Sequence, residues 1–214
     1  MPFLLTFGDS NTHGTPPIIN RGEYQRFGAD IRWPQVCLRA LGHGWELAEE
    51  GLPGRTAKYE DPVMGAHMNG QDGLKIALQS HGPLDVMTLM LGTNDVKARF
   101  GATAAEVTAG IAGLVDLALS LEMQARHGGF KLLLICPPPV LEVGPIAGEF
   151  YGAAARSQHL APLYRDLATA RGIGFLDAGQ VIQVSMQDGV HFDAQAHRAL
   201  GLAVADAVRV LQAG

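Results

Sequence analysis

The run Leu84–Leu91 constrains this chain more than any other stretch. Successive side chains of a strand point to opposite faces, and here both faces are largely apolar. A strand of that kind is covered on both sides, which is the signature of a parallel sheet flanked by helices. Parallel neighbours need crossover connections, usually helical. The rest of the chain should therefore alternate strand and helix, and it does.

Phe3–Phe7 reads as the first strand and Trp45–Ala48 as the second. Leu84–Leu91 is the third, Lys131–Cys136 the fourth and Ile173–Leu176 the fifth. Trp33, Val36, Cys37, Ala40 and Leu41 fall at helical spacing, with Pro34 in the first turn and Gly42 at the end. A helix is expected over Gln71–Ser80, weakened by Gly73. The longest helical pattern spans 103–126, with Val107, Ile111, Leu114, Val115, Ala118 and Leu121 on one stripe. Ala153–Arg171 follows, where Pro162 predicts a late start or a kink. Asp193 is placed to cap a last helix that carries Leu200, Val204, Ala207, Val208 and Leu211 on one face. Asn11–Asp30 and Pro137–Gly152 read as long irregular loops. No repeat or linker interrupts residues 1–214, so one α/β domain is expected: three layers, α/β/α, around a five-stranded parallel sheet.

Composition excludes several classes of function. Hydrophobic residues make up 47% and charged residues 17%, which suits a packed globule rather than a disordered chain. The net charge of −5 leaves no electrostatic footprint for nucleic acid. No segment reaches the ~18 unbroken apolar residues of a membrane span. The N-terminus lacks a charged n-region and a long enough apolar run for a signal peptide, so the cytoplasm is the expected compartment. Cys37 and Cys136 are far apart and read as reduced, buried thiols. His13, His67 and His197 match no common ligand spacing, and neither a metal nor another cofactor is expected.

In an open α/β sheet, ligands bind beyond the C-terminal ends of the strands. Gly8-Asp9-Ser10-Asn11-Thr12-His13-Gly14 stands there, directly after the first strand. Of the five serines, Ser80, Ser120 and Ser157 fall in or beside helical patterns and Ser185 in a late link; Ser10 alone follows a strand. A nucleophilic serine needs a base, and the base needs a group to orient it. Asp188 and His191, three residues apart before the last helix, can supply both. The Gly-x-Ser-x-Gly elbow of the larger α/β hydrolases is absent. Taken singly, Asp9 and Asn94-Asp95 are better read as capping helices or closing turns, Gly54 as a turn residue and His191 as a loop histidine.

Together these residues make four blocks in order: Gly8-Asp9-Ser10, Leu52-Pro53-Gly54-Arg55-Thr56, Gly92-Thr93-Asn94-Asp95 and Asp188-Gly189-Val190-His191. This set resembles the SGNH hydrolases, also called the GDSL esterase family, over essentially the whole chain. Arg32-Trp33 and Glu49-Glu50-Gly51-Leu52 resemble its arylesterase and acyltransferase branch. Asn11 stands where many members carry Leu, and Glu49 where many carry Asn. The resemblance implies the flavodoxin-like fold of that family. It also implies a catalytic set of Ser10, Asp188 and His191, and an oxyanion hole made by the backbone N–H groups of Ser10 and Gly54 and the Asn94 amide. Asp9 and Asp95 would brace the site.

The expected reaction is hydrolysis of short, acetyl-type carboxylic esters through an acyl-enzyme, with acyl transfer to alcohols as a side activity. Acetylated sugars are the alternative substrates. A haloacid dehalogenase-like phosphatase using Asp9 is a weaker alternative, because Asn11 replaces the second acid that chemistry needs. A flavodoxin-like binding module would leave the four blocks without a purpose. Asn11 and Val190 are the expected pocket residues, and a polar Asn11 would disfavour long acyl chains. The expected partner is a small ester, with no nucleic acid and no membrane. Val140, Leu141, Val143, Ile146 and Phe150 make the Pro137–Gly152 loop apolar, which, with the habit of the branch it resembles, suggests a homo-oligomer.

Overall fold

The computed structural model describes residues 1–213. The elements run β1 (Phe3–Gly8), α1 (Ser10–His13), α2 (Trp33–Leu41), β2 (Glu46–Gly51), α3 (Gly70–Ser80), β3 (Val86–Met90), α4 (Ala104–Ala118) and α5 (Leu121–His127). They continue with β4 (Lys131–Cys136), α6 (Ala153–Ser157), α7 (Leu160–Arg171), β5 (Gly174–Asp177) and α8 (Ala194–Ala213). The five strands form one parallel sheet in the order β2-β1-β3-β4-β5.

Period-two alternation sorts the strand residues between two cores. Leu5, Phe7, Met87, Leu89, Leu132 and Leu134 face one side, where α3, α4 and α7 supply Leu74, Ile111 and Tyr164. Leu4, Val86, Met90, Leu133 and Ile135 face the other, against Trp33 and Cys37 of α2 and Leu200 and Val204 of α8. Leu89 and Leu134 are fully buried. Burying a side chain of this size contributes about 1.5–3 kcal/mol, so the central strands anchor both layers. No single helix among the described residues is long and apolar enough to cross a membrane.

Several boundaries differ from the sequence expectation, each for a local reason. The start of the loop after β1 is helical: Asp9 caps Ser10–His13 by accepting from the Asn11 N–H, and Gly14 ends the turn at φ 89°. The second strand runs three residues further than expected, to Gly51. Its Glu49 is kept in the sheet by a two-point ion pair with Arg32 and a hydrogen bond from Gln35. The 103–126 pattern is two helices, because the Ser120 hydroxyl accepts from the Met123 N–H and starts a new cap. The longest helix is therefore α8. Ala153–Arg171 also divides, and Pro162 sits in the first turn of the second part, where its missing N–H costs nothing. Asp193 accepts from the Ala196 N–H at the start of α8.

The strand order reverses at β1, which pairs with β2 on one side and β3 on the other. Connections leave β1 and β3 in opposite directions there, and a crevice opens at their C-terminal ends. Ser10 follows β1, Gly54 follows β2 and Asn94 follows β3, so the topology alone gathers three of the four blocks.

Candidate active site

Ser10 is the first residue of α1 and is 5% exposed. Its Oγ lies 3.1 Å from Nε2 of His191, and Nδ1 of the same ring lies 2.6 Å from Oδ2 of Asp188. Asp188 is fully buried. Its Oδ1 accepts from the N–H groups of Val190 and His191, and its Oδ2 accepts from the Ile18 N–H at 2.7 Å. Burial alone would raise the carboxyl pKa, but the His191 ring and the backbone donors outweigh it and hold the value below the ordinary one. Asp188 thus stays ionised and fixes the proton on Nδ1, which leaves Nε2 as an acceptor facing Ser10.

Gly54 turns at φ +92°, a conformation that side chains disfavour, and an added Cβ would come within 2.7 Å of the Met64 thioether. Asn94 is 4% exposed, and its Nδ2 donates to the Arg55 carbonyl at 3.0 Å, which leaves its second N–H available. Asp95 is turned away from the cleft: both its oxygens accept from the Ala57 N–H, at 2.9 and 3.1 Å. Burial pushes its carboxyl up to about 7. Asp9 is likewise buried, with its carboxyl pushed up to about 6 by desolvation, against the pull of its hydrogen bond from Asn11. A carboxyl that caps a helix at 1% exposure does not present itself to a substrate, which removes the basis for a phosphatase built on Asp9.

Asn11 does not line the pocket. Its side chain turns inward, 1% exposed, donating to the Val190 carbonyl and accepting from the Phe192 N–H. Two buried backbone groups compete for the carboxamide more strongly than an open cleft does. Val190 does line the cleft. The Pro137–Gly152 loop also differs from expectation: Val140, Ile146 and Phe150 are buried rather than exposed, with Ile146 and Phe150 in the cleft wall.

The cleft holds about 190 Å³ and opens beside Ser10, Asn94 and His191. Ile18, Met64, Ile146, Phe150 and Val190 supply its apolar wall. A larger open groove of about 690 Å³ lies between residues 179–186 and the start of α8. It contains none of the converging groups, so chemistry rather than volume marks the site.

Four contributors carry no spacing signal in the sequence. Arg55 is 6% exposed beneath the site; it donates to the carbonyls of Gly8 and Glu50 and its guanidinium lies 4.1 Å above the Phe7 ring. Burial lowers its pKa to about 10. Lys97 lines the cleft 3.7 Å from Glu149, and burial lowers the pKa of its ammonium. Glu149 also pairs with Arg99 and Arg21, and Arg99 with Asp61, so one ionic network joins four loops at the rim. Ile18 reaches Asp188 through its backbone, which no side-chain pattern reports.

A sheet with reversed strand order and a serine, histidine and carboxylate joined at its switch point define a serine hydrolase of the α/β class. The chain belongs to the GDSL-like lipase/acylhydrolase family, whose model matches residues 6–199, and it is a carboxylic ester hydrolase. Among solved structures it is similar to a carbohydrate acetylesterase from Sinorhizobium meliloti, at 35% identity and TM-score 0.93, over 99% of this chain and 100% of that one. It is similar to the inhibitor-bound M. smegmatis aryl esterase at 35% identity and TM-score 0.91, with the same coverage. A carbohydrate acetylesterase family member from S. meliloti is 36% identical at TM-score 0.88, with both chains fully covered. No curated protein sequence matches the chain significantly.

Proposed function

We propose that Ser10 is the nucleophile of a short-chain esterase that works through an acyl-enzyme. The observation that carries this reading is the chain of contacts from Asp188 through His191 to Ser10, 2.6 and 3.1 Å long. His191 takes the Ser10 proton on Nε2 as Oγ attacks the ester carbonyl. The carbonyl oxygen becomes an oxyanion, received by the N–H groups of Ser10 and Gly54 and the free N–H of Asn94. Collapse breaks the ester C–O bond, and His191 returns its proton to the departing alkoxide. Water then attacks the acyl-enzyme with His191 as base and regenerates Ser10. An alcohol that reaches the acyl-enzyme first gives a new ester instead.

The acyl group is acetyl or slightly longer. A cleft of about 190 Å³ falls below the ~300 Å³ lower bound of drug-sized sites. Asn11 does not contribute to this limit, because its side chain faces away from the cleft. Acetylated sugars are a second class of substrate, favoured by Glu23, Tyr24, Lys97 and Glu149, polar side chains that border the apolar wall. Acetyl esters with aryl, alkyl and sugar leaving groups, compared by kcat/KM, separate the two classes.

A serine-directed organophosphonate should label Ser10 stoichiometrically and stop turnover. Ser10→Ala should lose activity at unchanged circular dichroism. Turnover near the wild-type rate in that variant would sink the reading.

Self-association is part of the same proposal, on different residues than the sequence suggested. Ile19, Val63 and Tyr151, on three of the loops that follow strands, are more than half exposed; a shared patch of such side chains is what would mark an interface. A monomer in light scattering at micromolar concentration counts against it.

A further inference from the structure

Acyl transfer as proposed above assigns no role to the Asn11 side chain, yet it is among the most completely held groups near Ser10. Asp9 Oδ1 accepts from the Asn11 N–H at 2.9 Å and fixes its backbone in α1. From there the carboxamide spans to the loop of the proposed base, 179 residues further on. Nδ2 donates to the Val190 carbonyl at 3.1 Å and Oδ1 accepts from the Phe192 N–H at 3.2 Å. These are the two peptide groups on either side of His191. The backbone of His191 itself is held by other partners: its N–H donates to Asp188 Oδ1 and its carbonyl accepts from the Ser185 N–H at 2.8 Å.

We propose that Asn11 is a positioning residue, a two-point clamp that holds the His191 backbone at a set distance from the Ser10 hydroxyl. The assignment rests on the acyl-transfer reading and deepens it. Asp188 orients the imidazole ring, but it belongs to the same loop and its tie outside that loop is to the Ile18 N–H beyond the end of α1, so it cannot by itself hold the loop against Ser10. Asn11 is adjacent to Ser10 and can. The residue type follows from the task. One carbonyl and one N–H must be satisfied together in a buried place, which a carboxamide does with its two ends. A Leu offers neither end. An ionised Asp offers an oxygen to the Phe192 N–H but sets a negative oxygen against the Val190 carbonyl. The carboxamide carries no charge, so the clamp keeps its strength across the pH range in which His191 must accept a proton.

The test compares Asn11→Leu and Asn11→Asp with wild type, Ser10→Ala and His191→Ala, using p-nitrophenyl acetate at pH 8. Rates are expressed per serine titrated with organophosphonate, so a loss of folded protein does not register as a loss of kcat. Misplacing a catalytic group by about 1 Å can cost ~10²-fold in rate. Asn11→Leu should therefore lower kcat by roughly 10- to 100-fold, with KM little changed and the midpoint of the kcat/KM pH profile in place. Asn11→Asp, nearly isosteric and with the Phe192 bond kept, should lower kcat in the same direction, and it decides the matter alone if the Leu variant does not fold. Wild-type kcat per titrated serine in the folded Leu variant, or in the Asp variant, overturns the clamp. So does a change confined to KM, which would make Asn11 a binding residue. If Ser10→Ala keeps turning over, the acyl-transfer reading fails. If Ser10→Ala and His191→Ala are inactive while both Asn11 variants remain fully active, the clamp alone fails.

Discussion

The Ile18 N–H donates to the same Asp188 oxygen, Oδ2, that faces the His191 ring. One loop therefore shares the carboxylate charge with the imidazole. Ile18→Pro removes that N–H and leaves more of the Asp188 carboxylate charge facing the His191 ring. The rising limb of kcat/KM should move to higher pH, because the base must be unprotonated to act. Ile18→Ala keeps the N–H and controls for the lost side chain. Identical pH profiles for the two variants would show that the contact leaves the pair untouched.

Asn94→Ala should lower kcat by ~10²–10³ with little change in KM, the usual loss on removing one oxyanion donor. The Arg55 carbonyl also loses its partner in this variant, so melting temperature should be read alongside the rates. A change confined to KM would place Asn94 in ground-state binding.

Across p-nitrophenyl esters of increasing length, kcat/KM should peak at acetyl to butyryl and fall steeply afterwards. Ile146 and Phe150 close the apolar wall of the cleft and are themselves packed in the core, so they cannot swing aside cheaply. A maximum at octanoyl or beyond would reveal a channel that this packing does not provide.

Asp95 gives stability a definite pH slope. Burial raises its carboxyl from the ordinary 3.8 to about 7 in the folded protein. Between those values the unfolded chain has released the proton and the folded chain still holds it. The unfolded state then binds fewer protons, so stability falls as pH rises through that window. Asp95→Asn removes this contribution. Its melting temperature, relative to wild type, should climb as pH goes from about 4 to about 7. A constant offset between the two proteins would show that Asp95 ionises normally.

Much of the fold was legible because its signals are local. The apolar run at Leu84–Leu91 announced a covered central strand, and the alternation around it announced the crossovers. The four blocks were legible because a turn at a strand end needs particular residues in a short span. Helix breaks were less legible. The Ser120 cap and the shift of β2 depend on which competing hydrogen bond or ion pair wins, and Arg32 and Glu49 are 17 residues apart.

The sequence by itself determined the alternation of elements, the residue types at the strand ends and the family they resemble, since each is written in contiguous residues. Only the tertiary structure decided how those residues face one another. Asn11 was expected in the pocket and lies instead between Ser10 and the His191 loop; Ile146 and Phe150 were expected at the surface and form the cleft wall. Ile18 acts through a backbone N–H that any residue but proline would supply. The physical reason is the same in each case. A side chain's direction, and a backbone group's partner, are set by burial and by donors and acceptors brought together from distant parts of the chain, and no local pattern encodes that competition.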